Sequence, residues 1–106
     1  MAVIALPEIL EFEWDAGNEQ KNWIKHNIST EEAEEPFLTE DQLILADIQH
    51  STKHEERYIL IGKSKQGRML FIIYTIRKRK IRIISARDAD RKEVALYEKA
   101  LNLTKV

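Results

Sequence analysis

The sequence predicts an α+β domain: a twisted antiparallel sheet with two helices before it and one after, in the order β-α-α-β-β-β-β-α. Three observations lead there. From Glu56 onward the chain is rich in β-branched and aromatic residues, broken only by short turns. Strands joined that closely must pair antiparallel, because parallel neighbours need a long crossover. Capping signatures at Ser29 and Asp90 mark helices on both sides of this run. With 106 residues, of which 43% are apolar, the chain supplies one core and a single domain over 1–106.

The elements follow in order. Ile9 to Trp14 alternates apolar and acidic residues, which is the pattern of a short strand with one buried face. Asp15 can cap a helix from about Ala16 to His26, and Asn27 can end it because Asn tolerates positive φ. Ser29-Thr30-Glu31-Glu32 is a capping box that opens a shorter helix, limited by Pro36. Strands are expected over Leu43–Ile48, Arg57–Gly62, Arg68–Arg77 and Lys80–Ala86. The second and third of these join through Ser64-Lys65-Gln66-Gly67, the last two through a basic turn at Lys78-Arg79-Lys80. Asp90, with Glu93 three residues on, caps a last helix running to about Asn102. The helices are expected to cover one face of the sheet.

Charge is divided unevenly. Residues 1–56 hold 3 Lys or Arg against 14 Asp or Glu, while residues 57–106 hold 14 against 4. Such a split points to a polyanion held by the basic half, or to internal docking of the two halves. The basic charge is densest from Arg77 to Lys92, where isoleucines that want burial alternate with arginines that want an anion. There is no cysteine, which excludes a disulfide framework, a thiol nucleophile and a Cys-ligated metal. No apolar run is long enough for a membrane span and no leader is expected, so the reading is a soluble, cytoplasmic protein with no membrane partner.

Several groups of residues, taken together, resemble one family. They are Phe12-x-Trp14-Asp15, Lys25-His26-x-x-Ser29, Glu32-Ala33, His54-Glu55-Glu56-Arg57-Tyr58-Ile59, Gly62, Tyr74-Thr75-x-Arg77, Arg82-Ile83-Ile84-Ser85-Ala86-Arg87, Arg91-x-Glu93 and Tyr97. This pattern resembles the BrnT family of bacterial toxins. The resemblance implies a RelE-like fold and a metal-independent endoribonuclease that halts translation. It also implies a BrnA-like antitoxin with a ribbon-helix-helix part, through which operator DNA is reached only indirectly. No cofactor and no metal are implied. The turn Arg77-Lys78-Arg79-Lys80 departs from the family, being more basic and lacking the glycine such a turn often carries.

Cutting RNA without a metal requires a base for the 2′-hydroxyl, an acid for the departing 5′-oxygen, and fixed cations for the charge that builds on phosphorus. Arg77, Arg82 and Arg87 are the candidates for the phosphate clamp, since guanidinium stays charged and presents a planar fork to phosphate oxygens. The same arginines would also serve as a solvated sheet margin. A regular strand would place Arg82 and Arg87 on opposite sides. Lys25 and His26 are candidates for phosphate contact and proton transfer, or for meeting a helix dipole. Glu55 and Arg57 lie two apart on a strand and so share a face, as base and orienting partner or as a surface ion pair. Ser85 sits among the arginines as a candidate phosphate donor. His26, His50 and His54 are not read as a metal site, their spacing being weak for one. Trp14, Trp23 and Tyr97 are read as core.

Overall fold

The structure, a computed structural model, describes residues 11–19 and 21–104; the side chains of residues 22–24, 103 and 104 lie outside that description. Its centre is a four-stranded antiparallel sheet: β1 Gln42–Ala46, β2 Arg57–Lys63, β3 Met69–Arg77 and β4 Lys80–Asp88, in that spatial order. Before it come α1 (Lys21–His26) and α2 (Thr30–Glu34), the latter running into a 3-10 turn over Glu35–Leu38. α3 (Arg91–Thr104) follows the sheet.

The α+β class and the four-strand meander agree with the sequence. The expected helices before the sheet are reduced to short turns of six and five residues, and α3 is the only helix of several turns among the described residues. Residues 16–19 form a turn rather than helix, with the backbone N–H groups of Asn18 and Glu19 both donating to the Asp15 carbonyl. Asp15 does accept a first-turn N–H, that of Gly17 at 2.8 Å, yet the helix starts only at Lys21. Pro36 lacks the N–H an α-helix would use, so α2 tightens into the 3-10 turn. Asn27 ends α1 with φ 54°, the role its side chain suits.

The expected first strand is also corrected. Ile9 and Leu10 lie outside the described residues. Within residues 11–14 only Phe12 bridges, in parallel, to Ile81. Glu13 N–H donates to the Ile81 carbonyl (2.8 Å) and Ile81 N–H to the Glu11 carbonyl (2.7 Å), so this segment covers the outer edge of β4. Asn18 fastens it further, its buried amide donating to the carbonyls of Ile83 (2.9 Å) and Glu13 (3.1 Å).

Helical segments pack on both faces of the sheet, not on one. Ile28, Ala33 and Phe37 join Ile44, Leu60, Leu70, Ile72, Tyr74, Ile81 and Ile83 on the first face. On the second, Tyr97, Leu96, Ala100 and Leu101 of α3 pack on Leu43, Leu45, Ile61, Met69 and Phe71. The alternation along β3 explains this: Leu70, Ile72 and Tyr74 point one way, and Met69, Phe71 and Ile73 the other, so both faces are apolar. The cap of α3 is complete, with Glu93 N–H donating to Asp90 and Asp90 N–H to Glu93, each at 2.8 Å. At Ser29 only one half of the box forms: its hydroxyl accepts from Glu32 N–H, while the Glu32 carboxylate turns to Arg68.

Candidate active site

The end of the sheet where β2 begins and β3 ends holds a compact ionic group. It is positioned by a chain of small polar residues. Thr52 accepts the N–H groups of His54 and Glu55 on its hydroxyl, and donates its own N–H to the Glu55 carbonyl. The Ser51 hydroxyl accepts Arg57 N–H at 2.9 Å and donates to the Asp47 carbonyl at 2.7 Å. Buried Thr75 donates to the Glu56 carbonyl at 2.7 Å. The backbone on both sides of Glu55 is thereby fixed.

Glu55 lies between two guanidinium groups. Arg57 Nε donates to one carboxylate oxygen at 3.2 Å, and an Arg77 terminal nitrogen donates to the other. Arg77, chiefly through that hydrogen bond, holds the Glu55 carboxyl below the usual carboxylate range, with Arg57 adding to the effect. The Arg77 side chain is 50% exposed and that of Glu55 22%, so the group is open to a ligand yet fixed from behind. A cavity of about 310 Å³ opens beside it, lined by Ala46, Ile48, Ser51, Glu56, Arg57 and Tyr58.

Strand register places the other arginines relative to this group. β4 is irregular opposite Ile73 and Tyr74: Ile73 pairs with Ser85 and Tyr74 with Ile83, leaving Ile84 as an extra residue. This overturns the expectation for a regular strand. Arg82 pairs with Thr75, Ser85 with Ile73 and Arg87 with Phe71, so all three register on the face that carries Arg57 and Arg77. They do not converge on one point, however. The Arg82 guanidinium reaches Glu13 at 3.0 Å and Asp15 at 2.7 and 3.1 Å, locking the segment before α1 to β4. Arg87 lies over the Phe71 ring, 4.2 Å from its centroid, and forms a two-pronged pair with Glu93, both contacts at 2.8 Å. The β3 partners of Arg82 and Arg87, Thr75 and Phe71, stand four steps apart, roughly 13 Å of strand. The three arginines expected to act together are thus separated: Arg77 shares the Glu55 carboxylate with Arg57, while Arg82 and Arg87 are held elsewhere by their own carboxylates. Ser85 is half-buried on the same face, between these positions.

Lys25 and His26 belong to the other end of the sheet. Arg68 donates to the His26 carbonyl (2.9 Å), the Asn27 carbonyl (3.0 Å), Glu32 (3.1 Å) and both oxygens of Asp88. It thereby closes the C-terminal end of α1, whose last carbonyls lack helical partners. From Met69 to Arg77 is roughly 26 Å along β3, so Lys25 and His26 do not share a site with Glu55.

Part of the charge split is internal docking. Arg68, Arg77 and Arg82 of the basic half meet Glu32, Glu55, Glu13 and Asp15 of the acidic half. Sequence reasoning missed Arg68 and the Arg82–Glu13–Asp15 lock, because no local pattern shows which distant carboxylate an arginine will meet. Arg82 lowers the Asp15 carboxyl and Arg68 that of Asp88 below their ordinary values. A carboxylate with a lowered folded-state pKa contributes stability above its unfolded pKa, and the contribution is lost as pH falls through the folded value. The melting temperature is therefore expected to stay level from neutrality to about pH 5 and to fall below it, and a thermal-unfolding series from pH 7 to 3 measures this. A level curve to pH 3 would mean that these pairs contribute no stability.

No helix among the described residues is long and apolar enough to cross a membrane. A family model described as "Ribonuclease toxin, BrnT, of type II toxin-antitoxin system" matches residues 14–93. No curated protein matches the chain significantly.

Proposed function

From the premise that this chain belongs to the BrnT family of ribonuclease toxins of type II toxin–antitoxin systems, we propose that it is a metal-independent endoribonuclease centred on Glu55, Arg57 and Arg77. The observation that supports this is the placement of one ionised carboxylate between two partly exposed guanidinium groups on a fixed piece of sheet. A phosphate arriving there competes with Glu55 for Arg57 and Arg77. Once those cations turn to the phosphate, Glu55 loses the partners that lower its pKa and becomes a stronger base. It then removes the proton of the adjacent 2′-hydroxyl. The 2′-oxygen attacks phosphorus and the bond to the 5′-oxygen breaks, leaving a 2′,3′-cyclic phosphate. The departing oxygen takes a proton from water. The two arginines hold the charge that builds on the phosphoryl oxygens.

On this reading the sheet and helices are a RelE-like scaffold, cleavage stops translation in the cytoplasm, and a BrnA-like antitoxin with a ribbon-helix-helix part covers the site and carries the pair to operator DNA. Arg82 and Arg87 act by positioning: one fixes the edge of β4, the other fixes the start of α3.

The test is cleavage of a messenger RNA by purified protein in excess chelator. New 5′-hydroxyl and cyclic-phosphate ends are expected. Binding without new ends would support a second reading, a non-catalytic RNA- or protein-binding module acting as corepressor. One observation favours that alternative: Arg82 and Arg87 are already engaged by Glu13, Asp15 and Glu93.

A further inference from the structure

We propose that the tip of the β3–β4 hairpin, Lys78 and Arg79 with Lys80 beside them, is a second RNA contact that grips backbone phosphates outside the cleavage site. The proposal rests on the ribonuclease reading only in taking RNA as the ligand. Three observations carry it.

The first is the backbone. Lys78 and Arg79 adopt φ of 50° and 67°, the left-handed region, at both central positions of a two-residue hairpin loop. Asn-Gly is the usual occupant, because these residues tolerate positive φ with little strain. Here the strained conformation is kept with two long cations in it.

The second is availability. Residues 76–80 are all exposed. Arg57, Arg68, Arg77, Arg82 and Arg87 are each held by a carboxylate. Among the described residues, the side chains of Lys78, Arg79 and Lys80 have no hydrogen bond or ion pair. They are therefore free to meet an outside anion without first breaking an internal pair.

The third is position. Lys80 registers with Arg77, so the tip continues the face that carries Glu55, Arg57 and Arg77. An RNA strand laid along that face past Arg77 runs onto Lys78 and Arg79. Cations on mobile side chains contact phosphates without reading bases, so this contact adds affinity and not sequence preference.

The experiment measures binding of a 2′-O-methyl RNA 20-mer, which cannot be cut through its 2′-oxygen, over a series of salt concentrations, together with melting temperature. In Lys78→Gln with Arg79→Gln the slope of log affinity against log salt is expected to fall by about 1.4, roughly 0.7 for each lost single-strand phosphate contact. The melting temperature should stay as it is, since the turn keeps its strain. In Lys78→Asn with Arg79→Gly the slope should fall equally, and the melting temperature should rise by roughly 5 °C as the strain is relieved. An unchanged slope in either folded variant overturns the proposal. Wild-type protein that cuts RNA while the slope is unchanged sinks this contact and leaves the ribonuclease reading standing. Wild-type protein that binds through the tip and leaves messenger RNA uncut does the reverse.

Discussion

Glu55→Gln is expected to lower RNA cleavage by roughly 10²–10⁴-fold, the usual worth of a positioned general base, with RNA binding retained. Gln matches the shape of Glu and can still accept from Arg57 and Arg77 through its carbonyl oxygen, but it has no affinity for a proton near neutrality. Stability should change by less than about 1 kcal/mol, because partly exposed ion pairs contribute little. Arg77→Ala supplies a check that a merely structural role would not pass. Arg77 is the chief cause of the lowered Glu55 pKa. Removing it raises that pKa toward the ordinary carboxylate value. A base works only when deprotonated, so the acidic limb of the kcat/KM–pH profile should move to higher pH in Arg77→Ala and vanish in Glu55→Gln. Full activity in Glu55→Gln, or an acidic limb unmoved by Arg77→Ala, would remove Glu55 from the role of base.

The local signals in the sequence were the ones that short-range physics controls. Asp90 and Glu93 formed their reciprocal cap, and Gly67 took φ 85° in the β2–β3 turn. Glu55 and Arg57 met, but not through strand spacing: β2 starts only at Arg57, and Glu55 stands in the loop before it, held by Thr52. Long-range features were hidden for particular reasons. The placement of Arg82 and Arg87 on one face depends on the extra residue Ile84, and a bulge leaves no mark in an Ile-rich strand. Helices on both faces left only a run of adjacent apolar residues such as Phe71-Ile72-Ile73, which shows burial on two sides but not which element covers each face. The stretch at residues 16–19 looked helical from Asp15 onward. Asn18 is instead drawn into tertiary hydrogen bonds with Ile83 and Glu13, which a helix starting at Ala16 was not expected to make. The adjacent Lys25-His26 pair suggested chemistry by residue type alone, and only the fold shows the length of β3 separating it from Glu55.

Phe37→Ala should be strongly destabilising, costing about 3–5 kcal/mol, the range for emptying a buried phenylalanine site. Phe37 is 2% exposed and sits in the 3-10 turn after α2. Its ring meets Phe12 edge-on at 5.3 Å and Tyr74 edge-on at 5.0 Å, contacts that add to the burial itself. The site has little capacity to collapse. Pro36 beside it is buried and packs so close to Gly62 that a Cβ there would lie 3.3 Å from the Pro36 Cβ. Leu38, the next residue, is 63% exposed, and Leu38→Ala should stay within about 0.5 kcal/mol of wild type. Urea unfolding of the two variants measures the contrast as a difference in midpoint at equal slope. The effect should also reach the candidate site. Phe37 packs on Tyr74, Tyr74 stacks on Tyr58 at 5.4 Å, and Tyr58 adjoins Arg57 in β2. Loosening Tyr74 therefore loosens the strand that aims Arg57 at Glu55. Phe37→Ala is expected to lose cleavage at temperatures where its circular-dichroism spectrum is still native. A variant that stays fully active up to its own melting temperature would show that the site is held independently of this aromatic stack.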